Sequence, residues 1–389
     1  MSEAALGLLG IMTCRSRETP STAESSFFNH LCRVAPLYDL RVIIFQPEGV
    51  HPESHSLTGQ TWRNNEWTTQ ETTYPDIIYN RCFYGSPKDR KDASAALAAL
   101  PHVIPWSRGL PDKWGVYEIL RKNRRAALLL PETLLYTGSH KLSNMLAERE
   151  FGVFLKPRAG THGKRTLHAL KQRKGGLTVT GRDGANAVFN HRFVNQQDGY
   201  EWVDQFIGSR RYIMQPYLQL NDQSGQPFDV RVLVQKNGRG RWELTGMAVR
   251  LGARGTLTSN IHGGGTAVPI SPFLKKEYGS AGKYIKEKIT EEALFLPSLL
   301  EAACGRLGEL GLDFGIDGGG RITLLEANSK PGRTIFHLTG DYRASRLAAE
   351  NPLRYAHHLL LTNRRVPAIP GVYSSTPGRM ISTVPKEDS

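Results

Sequence analysis

Three carboxylates and an asparagine crowd the stretch LDFGIDGGGRITLLEANSKPG, Leu312 to Gly332, and oxygen ligands at that density can hold a hard divalent cation. The stretch reads as two strands joined by glycines, so the question is which side chains share a face. Cross-strand partners in an antiparallel pair have residue numbers that sum to a constant, and a two-residue loop, the commonest hairpin connection, makes that constant odd. An even-length loop within DGGG therefore sets Asp313 opposite Glu326, or one diagonal from it, on the same face. Asn328 shares that face with Glu326, because side chains alternate with a period of two. Asp317 has the right parity but sits about 13 Å further along the strand and belongs to the turn. Asp313, Glu326 and Asn328 are the predicted ligands, and the ion they suit is Mg2+. The plain alternative leaves Asp313 as a polar residue and Glu326 as an edge-strand charge.

Other stretches carry groups suited to anions. In LKPRAGTHGK, Lys156 offers a cation at a strand end, while Gly160 and Gly163 let backbone N–H groups fold around phosphate oxygens. This is no Walker loop, since G-x-x-x-x-G-K-[ST] is absent, and no G-x-G-x-x-G follows a first strand; a plain turn is the alternative. Asp229 and Arg231 in DVR point to one face, and Arg250 ends the partner strand GMAVR. Guanidinium groups suit a phosphoryl group in transit, and cross-strand pairing with Asp229 is the structural alternative. SNIHGGG sets Asn260 and His262 beside Gly263 and Gly264, a loop whose backbone can close on a ligand. Arg81 in YNRC and Arg333 after SKPG are open to two readings, as receivers of a substrate carboxylate or as structural ion pairs.

The elements that must position these groups follow from periodicity. Residues 6–12 and RVIIFQP read as buried strands around the helix SSFFNHLCRVAPLYD, a β-α-β opening; YPDIIYNRCF adds a strand and DASAALAAL a helix. An α/β domain over residues 1–105 is expected, then a unit over 106–214 and another over 215–364. The second begins with a helix at DKWGVYEILRKN capped by Asp112, and ALLLPETLLY follows as strand and turn. FDVRVLVQKNGRGRWELTGMAVRLG reads as a hairpin turning at Asn237-Gly238. Leu299, Leu300, Ala303, Leu307 and Leu310 fall at helical spacing as a core stripe. Residues 365–389, rich in Pro, Ser and Thr, read as a disordered tail or an interaction arm.

At 389 residues the chain exceeds a single core of roughly 250 to 300. Fifty Lys and Arg against 36 Asp and Glu give +14, which suits an anionic partner. The basic residues are scattered and lack interleaved aromatics, which disfavours nucleic acid. Cys14, Cys32, Cys82 and Cys304 form no metal spacing and read as reduced thiols of a cytoplasmic protein. Glu3 stands where a secretory signal carries basic residues, and no apolar run approaches a bilayer span.

The order of the motifs is more specific than any one of them. Asp112-Lys113, LPET, LKPRAGTHGK, IMQPYL, DVRVLV, MAVR, SNIHGGG and LLEANSKPG resemble, over about residues 106–340, the ATP-grasp superfamily of carboxylate-amine ligases. The later run is similar to the branch that adds glutamate to protein or peptide carboxylates. The whole chain, with PDIIYNRCFYG and NSKPGRTIFHLTG, resembles the Yhe-type ATP-grasp proteins known as endospore coat-associated proteins.

That resemblance implies an α/β (α+β) chain with a small N-terminal α/β domain before the two-lobed ATP-grasp fold. It implies ATP as cofactor, Mg2+ with Mn2+ as the alternative ion, and as partners a carboxylate and an amine from amino acids or peptides. It also brings in spore coat proteins as partners and association with the coat, or a coat protein that binds ATP without turnover. Lys113 and Lys156 then hold phosphates under a loop of Gly160, Thr161 and Gly163. Gln215, Tyr217 and Leu218 form the hinge that reads adenine through its backbone, and Asp222 meets the ribose. Arg250 and Asn260 steady the moving phosphoryl group, Arg231 supports them, and the metal residues fall on Asp313, Glu326 and Asn328. Pro216 stands where related ligases often carry an acidic hinge residue, so a side-chain contact to adenine must come from elsewhere, such as Gln215. Arg158, His162, Lys164 and Arg165 make the loop more basic than phosphate closure requires, which suggests an acidic co-substrate.

Overall fold

The computed structural model describes residues 5–14, 22–63, 65–160, 163–253 and 265–364. The apolar opening GLLGIM is buried along its whole length because it is the central strand of a sheet. Strand Gly7–Met12 runs parallel to Leu40–Phe45 on one side and to Ile77–Asn80 on the other, with helix Thr22–Val34 making the first crossover. The β-α-β opening is therefore present. Helix Pro87–Ala98, capped by Ser86, leads to the short outer strand Ile104–Pro105. A hairpin of Ser56–Arg63 and Glu66–Thr73 extends the other edge. Its polar, threonine-rich strands carry no apolar alternation, and sequence reading passed over them.

The second sheet takes Val153–Pro157, Leu167–Lys171, Leu177–Arg182, Val188–Phe193 and Tyr212–Pro216, with the two-residue strand Leu134–Leu135 at its edge. Helices Ser139–Ala147 and Gln196–Ile207 cover one face through Val153, Leu155, Leu167 and Val179. Alternation sends Lys156, Ile213 and Gln215 to the opposite face. The third sheet is antiparallel and holds Thr266–Pro269, Trp242–Leu251, Phe228–Lys236, Glu309–Ile316 and Ile322–Asn328. Helices Ile270–Tyr278 and Ala281–Cys304 pack on it with Val230, Val232, Leu312 and Phe314 in the core. This mixture of helices and sheets is the expected α/β (α+β) class.

Several local expectations need correction. The hairpin at Asn237-Gly238 turns over five residues rather than two, pairing Lys236 with Trp242, and the Asn237 carboxamide accepts the Arg239 and Arg241 N–H groups. The stretch ALLLPETLLY holds little strand: a short helix Arg124–Ala127 precedes it, and only Leu134–Leu135 is extended. The stripe Leu299 to Leu310 is not one helix face. Its helix ends at Cys304, Ala303 is exposed, and Leu307 and Leu310 reach the core from the following segment and strand.

Two helices cross the expected boundaries. Helix Lys113–Leu120 inserts Val116 and Leu120 into the core of the third sheet. The final helix Tyr342–Arg364 packs Ala344 and Ala348 on the third sheet, then Leu353, Ala356 and Leu359 into the first domain's core. All four cysteines are free, and no helix among the described residues is long and apolar enough to cross a membrane.

Candidate nucleotide and metal site

The hairpin Glu309–Ile316 with Ile322–Asn328 does set Asp313 against Glu326, but by a different route from a two-residue turn. Its turn is five residues, Asp317 to Arg321, so Ile316 pairs with Ile322 and Phe314 with Leu324. That even register would displace Glu326 from Asp313. A bulge between Phe314 and Asp313 absorbs one residue, Leu325, and restores the odd register, so Asp313 meets Glu326 and Gly311 meets Asn328. The freed Leu325 carbonyl accepts the Lys156 ammonium at 3.1 Å. Asp317 holds the turn: its Oδ1 accepts the N–H groups of Gly319 and Arg321, each at 3.0 Å.

Around this pair the charges are arranged in two rows. Arg231 grips both Asp313 oxygens, at 2.5 and 3.1 Å, and Arg250 reaches the same carboxylate at 2.9 Å while holding Asp229 bidentately at 2.6 and 2.7 Å. Burial pushes the Asp313 carboxyl up, but the two guanidinium groups outweigh it and hold it below the usual carboxylate range. Lys113 Nζ stands 3.2 Å from Glu326 and 2.9 Å from the Gly160 carbonyl, which ties Gly160 to the hairpin that carries Glu326. Lys156 is buried, and that burial pushes its ammonium down to about 8 despite the attraction of Glu326. Gly160 and Gly163 take positive φ, +146 and +68, which glycine adopts without strain.

Lys113, Tyr117, Thr133, Lys156, Ile213, Gln215 and Glu326 line one cleft between the second and third sheets. The Gln215 amide donates to Thr133 Oγ1 at 2.8 Å, which aligns strand Tyr212–Pro216 against LPET. Tyr217 stacks on His168 with ring centroids 4.0 Å apart, and Leu218 continues the chain beyond the strand. Among the described residues no three His, Cys, Asp or Glu side chains gather into a metal cluster. The donor set is two carboxylates with the Asn328 amide, all hard oxygens, and it fits a Mg2+ whose remaining ligands are waters and phosphate oxygens. The cations now resting on both carboxylates show that these oxygens are directed at positive charge.

Three predicted roles are not supported by the geometry. Arg81 and Arg333 converge on Glu309, at 3.2 and 2.5 Å, with Tyr79 and Gln235 on the same carboxylate. Arg81 is fully enclosed and also pairs with Glu24, so the structural reading holds and neither arginine is presented to a substrate. Asp222 spends Oδ1 on its own turn, accepting from Ser224 and Gln226, and is absent from the cleft lining. Arg158 is also committed, to Asp112 at 2.8 Å, which lowers the free positive charge of the loop. Thr161, Asn260, His262, Gly263 and Gly264 lie outside the described residues. Sequence reading missed Thr133 and the Leu325 carbonyl; the first lay within LPET, while a bulge leaves no signature in composition.

A family model described as YheC/D like ATP-grasp matches residues 104–359, the stretch holding the cleft, the lysines and the Asp313–Glu326 hairpin. The chain belongs to this ATP-grasp family. It is 30% identical over 318 residues to the endospore coat-associated protein YheC of Bacillus subtilis (strain 168), covering 80% of this chain and 86% of the relative. It is 27% identical over 368 residues to YheD of the same organism, covering 90% and 78%. The ATP-grasp architecture also matches solved structures. D-cycloserine synthetase DcsG aligns with a TM-score of 0.53 at 12% identity, covering 92% of this chain and 99% of that one. D-alanyl-alanine synthetase A from Vibrio cholerae aligns at 0.51 and 13%, covering 90% and 98%. At such identities the likeness is one of fold.

Proposed function

We propose that the chain is an ADP-forming ligase that joins a carboxylate to an amine. The observation that carries this reading is the pairing of Asp313 with Glu326 at the cleft that Lys113 and Lys156 line, with Arg231 and Arg250 behind it. The family membership and the fold shared with amide-forming synthetases point the same way.

In this reading Lys113 and Lys156 bind the phosphates of ATP, and the Gly160–Gly163 loop excludes water above them. Asp313, Glu326 and Asn328 would hold Mg2+, which would supply positive charge to the phosphate oxygens when bound. A substrate carboxylate oxygen attacks the γ-phosphorus, the bond to the β-γ bridging oxygen breaks, and ADP departs to leave an acyl phosphate. Arg250, positioned by Asp229 and supported by Arg231, offers its guanidinium to the transferring group. A neutral amine then attacks the acyl carbon; the carbon–oxygen bond to phosphate breaks, and the amine proton leaves with phosphate or water. Asn260 belongs to the same group. The hinge Gln215 to Leu218 carries the adenine. The proposed units are residues 1–105, 106–214 and 215–364, with the last helix shared between the first and third and residues 365–389 as the tail.

A screen of product masses with ATP, Mg2+ and mixed amino acids and peptides tests this directly. The expected result is ADP, phosphate and a condensed product; AMP, or no nucleotide binding at all, overturns it. The names of the curated relatives support a second reading, in which the chain serves a cytoplasmic or coat-associated role with coat proteins as partners. Saturable ATP binding without ADP release across the whole panel selects that reading.

A further inference from the structure

The first domain has its own ligand position, set by topology. From the central strand Gly7–Met12 the chain moves out to Leu40–Phe45 on one side and later returns to Ile77–Asn80 on the other, so the crevice beyond Met12 and Asn80 is the switch point of a parallel sheet. Such crevices, at the carboxyl ends of strands, are where ligands bind in open α/β sheets. Asn80 ends its strand at this point, Cys82 just beyond it is buried, and Phe83 and Tyr84 remain partly exposed.

A lysine from the metal hairpin enters the crevice. Lys330, two residues beyond Asn328, donates to the Cys82 carbonyl at 2.6 Å and to Asn80 Oδ1 at 3.3 Å, and its ammonium lies 4.5 Å from the Tyr84 ring centroid. Asn80 in turn donates to the Tyr84 hydroxyl at 3.1 Å, and Arg90 stands over the same ring at 5.2 Å. Among the described residues no carboxylate pairs with Lys330, and the cation that shares the Tyr84 ring with it is Arg90. An ammonium withdrawn from water onto two neutral oxygens and a ring is a costly arrangement. Lys156 shows the same pattern, a buried ammonium resting on a carbonyl, and in the proposed function it awaits a phosphate.

We infer that the crevice between strands Gly7–Met12 and Ile77–Asn80 is a subsite for a second, non-reacting carboxylate of an amino acid or peptide substrate, with Lys330 as its anchor. The inference rests on the ligase reading and names its substrate class. Two residues of chain span at most about 7 Å, so an anion on Lys330 stands within one small molecule of the metal ligand Asn328. Lys330 takes the role that Arg81 and Arg333 cannot fill. Asn80 fixes the ammonium's direction, and the exposed rings of Phe83 and Tyr84 offer apolar contact to the substrate body.

The test uses the full chain with a non-hydrolysable ATP analogue and Mg2+, titrated with dipeptides supplied as free acids and as C-terminal amides. Binding is read from the concentration dependence of the thermal midpoint. Free acids are expected to bind about thirtyfold more tightly than their amides, the scale of a desolvated charge pair. Lys330→Met should erase that preference while leaving the shift caused by the ATP analogue in place, and Lys330→Arg should keep most of it. A variant damaged only in folding loses both shifts together, and Lys330→Arg then decides by the preference it retains. No preference in the unmodified chain, or a preference that survives Lys330→Met, overturns the subsite. ADP release without any preference for free acids sinks the subsite alone; a preference for free acids without ADP release sinks the ligase reading alone.

Discussion

One strand, Glu309–Ile316, carries two buried carboxylates four residues apart, and each is held by two arginines. Glu309 is enclosed. Arg81, Arg333, Tyr79 and Gln235 use its oxygens, and Glu24 takes the remaining charge of Arg81, so two carboxylates balance two guanidinium groups. Asp313 and Asp229 likewise balance Arg231 and Arg250, but this neutral group borders a second one, Glu326 with Lys113 and Lys156, in which two cations face a single carboxylate. Residue type does not separate the two ends of the strand. Surroundings do: the balanced Glu309 group is closed between the first domain and the third sheet, whereas the balanced Asp313 group borders Glu326, Lys113 and Lys156, whose surplus positive charge faces the cleft.

The largest effect is expected at the closed end. Glu309→Ala leaves Arg81 and Arg333 buried without their carboxylate and should lower stability by about 3–5 kcal/mol, measured by chemical denaturation. If stability stayed level while ATP turnover vanished, Glu309 would belong with the site and the comparison would collapse. Glu326→Gln is the counterpart. It should reduce ADP release by roughly a hundredfold or more while stability moves by less than about 1 kcal/mol, because the residue sits at a partly exposed cleft. Equal losses in both measurements would erase the distinction.

Lys156 sharpens the contrast through sign. Its folded-state value of about 8 lies below the ordinary 10.5 that the unfolded chain keeps, so between those limits the unfolded state binds more protons. This group's penalty on folding is present in full below about pH 8 and is relieved as pH rises toward 10.5. If Lys156 binds phosphate as proposed, ATP binding should follow the opposite trend, weakening above about pH 8 as the free protein loses the Lys156 proton. Lys156→Met should therefore raise the thermal midpoint by a few degrees near neutral pH and weaken ATP binding, and both pH trends should flatten. A midpoint that falls in the variant would mean that the bond to Leu325 outweighs the burial penalty.

The Asp313–Glu326 pairing was legible in the sequence, but the route to it was not. Asp313 and Glu326 could be matched by parity, yet the actual turn has the wrong parity and a bulge at Leu325 corrects it; nothing in LLEAN marks which residue is extra. Arg81 and Arg333 are the same residue type as Arg231 and Arg250, and only the position of the enclosed Glu309, distant in the chain from Arg81, decides that they are structural. The first domain's parallel strands were legible because both faces are buried and apolar. The threonine-rich hairpin Ser56–Thr73 was not, since its outer strand is held by backbone pairing more than by an apolar face. The return of the last helix into the first core depends on tertiary contact between distant segments, which local periodicity does not encode.

The smallest expected effect is at Asp317, and it isolates the turn from the Asp313–Glu326 pair. Asp317 Oδ1 accepts the Gly319 and Arg321 N–H groups, and an asparagine carbonyl can accept both. Asp317→Asn removes only a negative charge at an exposed tip and should change stability by less than about 0.5 kcal/mol and leave ADP release intact. Asp317→Ala, which strands both N–H groups at a solvated turn, should cost about 1 kcal/mol and still spare activity. The informative comparison is with Asp313→Asn, which keeps the shape but removes the charge between Arg231 and Arg250 and should lower ADP release sharply. Should the Asp317 variant instead abolish turnover while the Asp313 variant remained active, the carboxylate facing Glu326 in the working enzyme would be the turn residue, and the bulge at Leu325 would have lost its purpose.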